Sequence, residues 1–413
     1  MTHIARAVRV AGTALVLGFG LGACNDFLTV KNPNNILLSA IDPETDAPTL
    51  AASAQQDFAA AYGWLSMYQS WFVGEMRVAE TFPTRHEFGR RDVTPANGSH
   101  NTDVWTPISR ALAASDIVSQ LNLPNDNVNK VRGQMVKGFS FVMMAESFCE
   151  GVLRAGPSLS TTAMLDSAVV AFEAAISGGT ANGTAAAVSL ANAARVGLAR
   201  AHLQAGRKPQ ALAAANAVPA GFVFNLVYLD DPAARARLGN RLWQFTFERG
   251  SLQVAPAFRV NDPRVPFKLP SAHTLVPFDA GSGDYVIQDK FPAWQSPMRL
   301  ASKVEAEYIA AEAGTTADQL ALIAARRAAN NQPAYGGPTD AASVLTELME
   351  QRGREFYLEA KRMGDFRRNP AAVLNVPQPG TEYFREGFAP IGNQTCWPLP
   401  LAETDNNRNF DNP

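Results

Sequence analysis

Apolar residues that recur every three to four positions through several long segments constrain this chain most, because such stripes are buried by packing helix on helix. The cleanest run is Val128, Val131, Met135, Phe139, Val142 and Ala145, which predicts a core helix. Leu50, Phe58, Leu65, Tyr68 and Phe72 predict another over about 46–80, with Gly63 as a break, and Trp105, Ile108 and Leu112 open a third. Helices are expected over about 163–176 and 185–204, parted by a Gly/Asn/Thr turn, and a shorter one from near Pro209 to Ala217, where proline in the first turn is tolerated. Others are expected over about 300–313 and 317–329, and a long one over 341–362. Leu198, Ala199, His202, Gly206, Ala211 and Ala215 stand in the register of one degenerate tetratricopeptide unit. Its small residues let two antiparallel helices approach, and His202 reads as packing.

Two segments depart from this period. Residues 81–102 are polar and aperiodic, which predicts a long loop, and long loops inside compact domains are usually functional or disordered. Residues 219–297 carry nine prolines and twelve aromatics, so an irregular, loop-rich insert with short strands is expected there. The fold class is therefore mainly α, a tetratricopeptide-like helical-pair scaffold with that insert laid into it.

The N-terminus fixes an expected compartment. Arg6 and Arg9 precede an uncharged run from Val10 to Ala23 that ends Leu21-Gly22-Ala23-Cys24. A bilayer span needs about 20 apolar residues, so this run reads instead as a secretory signal peptide. Leu at −3 and Cys at +1 look like a bacterial lipobox. The expected organisation is a signal peptide over 1–23, an acylated Cys24 opening a tether over 24–45, and a domain over 46–413, divided into 46–218, 219–297 and 298–413. The acyl chains would hold the domain to a membrane, each buried CH₂ contributing about 0.8 kcal/mol.

Composition narrows the partners. With 46% hydrophobic residues the chain can bury a large core. Lys plus Arg is 36 against 38 Asp plus Glu, a net charge of −2, which provides no cationic field for nucleic acid. Cys149 and Cys396 either bridge, as thiols of an exported chain tend to, or are buried separately; the bridge is the expectation. Two cysteines and five scattered histidines give no zinc-ligand spacing, so no metal and no cofactor is expected. Arg352, Glu355, Glu359 and Arg362 fall three, four and three residues apart and are expected to share one helical face as an ion-pair network.

The stretch RGREFYLEAKRMGDFRR, Arg352 to Arg368, resembles the C-terminal signature of the SusD/RagB family of lipid-anchored outer-membrane nutrient binders. Other stretches agree in order: Cys24-Asn25-Asp26-Phe27-Leu28, Asp262-Pro263-Arg264, Pro297-Met298-Arg299 leading to Ala311-Glu312-Ala313, and Trp397-Pro398-Leu399-Pro400 with Glu403 and Asn407. Ala360 stands where the family has Gly, Met363 and Gly364 where it has a bulky aromatic pair, and Gln351 where Glu often precedes the Arg. The resemblance implies an α-rich scaffold on the outer membrane of a diderm bacterium, surface-exposed, that lids a SusC-like TonB-dependent transporter. It implies these motifs as scaffold residues rather than ligand contacts.

No GxSxG, HExxH, Walker, EF-hand or Rossmann pattern occurs at a usable spacing, so no enzyme is expected. The expected function is capture of an oligosaccharide, or a peptide, for delivery to the transporter. The alternative is a lipidated helical-repeat scaffold for envelope assembly. Ligand sites sit on loops carried by rigid elements. The candidates are Arg85, His86, Arg90 and Asn101 from the first loop, and Tyr285, Gln288 and Trp294 from the insert.

Overall fold

The computed structural model describes residues 41–405 and 407–410. The signal peptide, Cys24 and the tether as far as residue 40 lie outside the described residues.

Eleven helices carry the fold among the described residues: α1 (Pro43–Phe72), α2 (Pro83–Gly89), α3 (Thr106–Gln120), α4 (Val128–Ser147), α5 (Thr161–Asn182), α6 (Ala185–Gln204), α7 (Lys208–Asn216), α8 (Lys303–Ala313), α9 (Thr316–Ala329), α10 (Ala341–Glu355) and α11 (Arg362–Arg368). Shorter turns of helix join them. Neighbours in sequence pack in space, α3 on α4, α4 on α5, α5 on α6, α6 on α7 and α9 on α10. Local residues start these helices. Ser160 and Thr184 accept from Ala163 N and Ala187 N at the starts of α5 and α6, and Thr315 with Asp318 makes a capping box on α9. Small residues then set the spacing: a Cβ on Gly138 would fall 2.6 Å from the Phe172 ring, and Gly197 touches the same ring. Phe172 of α5 is thus seated between α4 and α6. Gly206, at φ +74, turns the chain from α6 into α7, where Ala211 and Ala215 are fully buried.

Eight short strands, β1 (Met76–Val78), β2 (Glu150–Gly151), β3 (Leu159–Ser160), β4 (Val223–Leu226), β5 (Leu252–Val254), β6 (Phe267–Lys268), β7 (Ile287–Gln288) and β8 (Met298–Ser302), pair antiparallel as β1–β5, β2–β3, β4–β8 and β6–β7. Two of these pairs fasten the 219–297 insert: β5 to the strand after α1, and β4 to the strand before α8. Cys149 and Cys396 form a disulfide with a Cα–Cα distance of 5.1 Å. Beside it Trp397, fully buried, lies edge-on to Phe72, Phe88 and Phe148.

Three expectations are corrected. Gly63 does not break α1, which continues to Phe72, because burial of Phe58, Leu65, Tyr68 and Phe72 outweighs the roughly 1 kcal/mol propensity cost of one glycine. Residues 81–102 are not one loop, since α2 and the start of a π-helical turn over His100–Trp105 lie within them. The helix expected over 341–362 stops at Glu355. Leu358 and Ala360 adopt left-handed backbone, φ 58° and 51°, before α11 begins.

The four residues Arg352, Glu355, Glu359 and Arg362 therefore do not lie on one helix. Each finds its partners elsewhere. Arg352 Nε pairs with Asp365 at 2.8 Å, and Glu355 with Arg326 at 2.6 Å. Glu359 pairs with Lys290 at 2.7 Å and Arg299 at 2.9 Å. Arg362 donates to the Val73 and Leu374 carbonyls. The motifs met in sequence close the network: Arg264 on Asp262 at 2.8 Å, Arg299 on Glu359, and Arg368 on Glu312 at 2.8 Å. Gln351 fits as an amide because it both accepts from Arg264 and donates to Gln332 and Glu347. Gly364 is small because a Cβ there would meet the Glu146 carboxyl at 2.6 Å, the group that holds buried Arg200.

Candidate ligand-binding surface

Five of the seven ligand candidates read from sequence are buried. Arg85 Nη1 donates to both oxygens of Glu80 at 2.7 Å, and its Nε to Tyr68 Oη at 3.2 Å. His86, fully buried, bonds Tyr383 Oη at 2.9 Å and the Glu80 carbonyl at 2.6 Å, and lies 4.2 Å from the Phe388 ring. Burial holds its pKa below the usual value. Tyr285 Oη donates to the Thr246 carbonyl at 2.7 Å, and the Gln288 amide bonds Phe291 through both its atoms. Trp294 packs 4.7 Å from the Trp243 ring. These five are packing and hydrogen-bonding groups of the interior, not exposed contacts. Arg90 and Asn101 are half-buried, Arg90 paired with Asp92 at 3.2 Å and Asn101 within the π-helical turn.

The structure nevertheless brings the two candidate segments together, through other residues. Phe82, just before α2, and Phe278 of the insert are 43% and 52% exposed, with ring centroids 6.2 Å apart. The Arg249 guanidinium packs 5.1 Å from Phe82 and 5.3 Å from Phe278. Such contacts draw a cation to a ring face. Val276, two residues before Phe278, is also exposed.

What holds this pair is a buried carboxylate. Glu80 has no exposed side-chain surface and accepts from Arg85, from Arg249 Nε at 3.2 Å and from Ser251 Oγ at 3.2 Å. Backbone bonds pin both segments: Ala79 N to Ser251 O at 2.9 Å, Phe278 N to Gly250 O at 2.8 Å and Asp279 N to Ala79 O at 3.0 Å. Gly250 is required here twice over, by φ +72 and because a Cβ would lie 2.6 Å from Val276 O. Asp279 is further tied to Arg385 by an ion pair. Two flat apolar faces fixed side by side, with a guanidinium between them, can receive the CH face of a ring while donating at its edge.

Sequence reasoning missed Phe82 and Phe278. A signal was present: each adjoins a proline, in Phe82-Pro83 and Pro277-Phe278, which stiffens the backbone of an aromatic that belongs to no apolar stripe. Among the described residues no group of His, Cys, Asp and Glu is placed to hold a metal ion. Nor is any helix there long and apolar enough to cross a membrane.

No family model and no curated protein matches the chain. Solved structures do. A SusD/RagB family protein from Bacteroides thetaiotaomicron is 14% identical, with a TM-score of 0.64 over 88% of this chain and 94% of that one. A laminarin-binding SusD-like protein is 14% identical, with a TM-score of 0.64 over 89% of this chain and 98% of that one. A surface glycan-binding protein from Bacteroides thetaiotaomicron, solved with laminarihexaose, is 14% identical, with a TM-score of 0.60 over 87% and 98%. The fold of this chain is SusD-like.

Proposed function

We propose that this chain, built on the SusD-like fold, is a divergent SusD/RagB lipoprotein that captures a glycan without turning it over. The exposed Phe82–Phe278 pair, held rigid by Glu80, carries the reading. Two structures of the same fold that bind laminarin or its hexasaccharide support the ligand class. Cys24 is the acylated residue that tethers the domain to the outer membrane, facing outward. A SusC-like TonB-dependent barrel is the partner to which the glycan passes, and the motif order along the chain supports that pairing.

The test is a screen of neutral oligosaccharides by calorimetry, with wild type and a Phe82→Ala, Phe278→Ala double variant. At least one glycan should bind, and the double variant should bind it at least tenfold more weakly. Its thermal midpoint should stay within a few degrees of wild type, since both rings are exposed and such changes cost little stability. Absence of any glycan ligand, or affinity indifferent to both rings, rejects the reading. Mass spectrometry of the membrane fraction should find lipid on Cys24, and mild-detergent extracts should yield the barrel.

A further inference from the structure

A cavity of about 440 Å³ lies between β1, the turn at 255–257 and the segment 375–391. That volume is within the range of small-ligand sites. Its walls are fixed. Gly74 has φ +75 and a Cβ there would fall 2.6 Å from Asn375 O, while a Cβ on Gly89 would fall 2.6 Å from Tyr383 Oη. The Tyr383 hydroxyl is in turn held by His86 Nδ1 at 2.9 Å.

Two donor side chains of this wall, Arg77 and Trp71, lack acceptors among the described residues. Arg77 reaches it from β1 with its guanidinium 4.7 Å from the Phe384 ring centroid, and it forms no ion pair or hydrogen bond through its side chain among the described residues. Desolvation and the neighbouring Arg259 both disfavour its charge, and Tyr383 only partly compensates. Trp71, 1% exposed, also lines the cavity, and its indole Nε1 has no acceptor among the described residues. Glu382 is the one carboxylate of the lining, and it is exposed and unpaired among the described residues. An arginine held on an aromatic face without a counter-ion is one whose charge a ligand carboxylate would satisfy.

We infer that this cavity binds an anionic sugar, a uronate whose carboxylate pairs with Arg77 while its ring lies against the Tyr383–Phe384 wall. The inference rests on the glycan reading for its choice of a sugar over other carboxylates. It differs from that reading in site and in charge, since Phe82 and Phe278 offer apolar faces to a neutral ring.

Calorimetry of the purified chain with trigalacturonate, its methyl ester and an acidic tripeptide tests it. Trigalacturonate should bind, more weakly as salt is raised, and the methyl ester and the tripeptide at least tenfold more weakly. Arg77→Gln and Phe384→Ala should each weaken trigalacturonate at least tenfold with an unchanged thermal midpoint, and Val170→Ser, on the exposed face of α5, should leave it unaltered. Equal affinity for the ester or the tripeptide, or affinity untouched by both cavity variants, overturns the inference. A wild-type chain that binds neutral glycans but no trigalacturonate rejects the cavity alone; one that binds neither rejects the glycan reading as well.

Discussion

Ala360 sits at φ +51, a left-handed conformation that costs a residue with a Cβ about 1–2 kcal/mol and a glycine little. The conformation is imposed from both sides. Its carbonyl accepts from Arg200 Nη2 at 2.8 Å, and the next residue, Lys361, places its ammonium 3.0 Å from Glu305. Ala360→Gly should therefore leave the chain as stable as before or raise its stability by up to about 1 kcal/mol, the relief of strain being offset by the extra freedom of glycine when unfolded. Urea unfolding checks this, and a loss of more than about 1 kcal/mol would contradict it. The family resemblance flagged this alanine as a replaced glycine, but only the backbone angle says why glycine belongs there.

Glu75 ties stability to pH. It is buried, and desolvation, only partly opposed by Arg362 and the Leu358 N–H, raises its pKa from 4.5 to about 7. The folded chain thus holds a proton that the unfolded chain releases more readily. Its stabilising contribution is full below about pH 4.5 and fades as pH rises to about 7, amounting to roughly 3 kcal/mol. Glu75→Gln should flatten that slope and exceed wild type in stability at pH 8, read by urea unfolding at pH 5 and 8.

At the scale of elements, helices were legible wherever apolar residues recur at helical spacing, and α4 and α6 run almost as their sequences dictate. The segment 81–102 was not, because most of the side chains it buries are charged or polar. Arg85, His86 and Asn97 are inside, satisfied by Glu80, Tyr383 and Glu87, and no hydrophobicity pattern reveals a buried ion pair. The break after α10 was hidden for a related reason: the charged spacing continues helically while the backbone turns left-handed. Glu80 shows what such pairs do for the site. Glu80→Gln should cost about 3 kcal/mol, since Arg85 and Arg249 would face a neutral amide in a buried place. Glycan affinity should fall with it as Phe82 and Phe278 lose their common support. Thermal unfolding and calorimetry on the same variant read both effects, and unchanged stability would show that Glu80 supports nothing.

At the scale of the whole molecule, the order of short motifs foretold the architecture better than any one segment did. Three of those motifs, at 262–264, 297–313 and 352–368, meet at the ion-pair network, so they report how distant parts are joined. The exposed Phe82–Phe278 pair was less legible because exposure is a property of the assembled chain. The segments that carry Phe82 and Phe278 were identifiable, one as polar and aperiodic and the other as irregular and aromatic, but which of their side chains turn outward depends on β1–β5 pairing and on Glu80, neither visible in a local window.

The segment from Asn369 to Gln394 supplies one wall of the cavity, and it follows α11, where Arg368 is clamped to Glu312 and Asp365. It then ends at Cys396, bonded to Cys149. It is a belt buckled at both ends. Gln378, Pro379 and Gly380 are exposed along it, the sort of stretch that proteases cut. A chain severed there should migrate as one species on a non-reducing gel and as two after dithiothreitol, the smaller about 4 kDa, at roughly 0.11 kDa per residue over the 33 residues from 381 to 413.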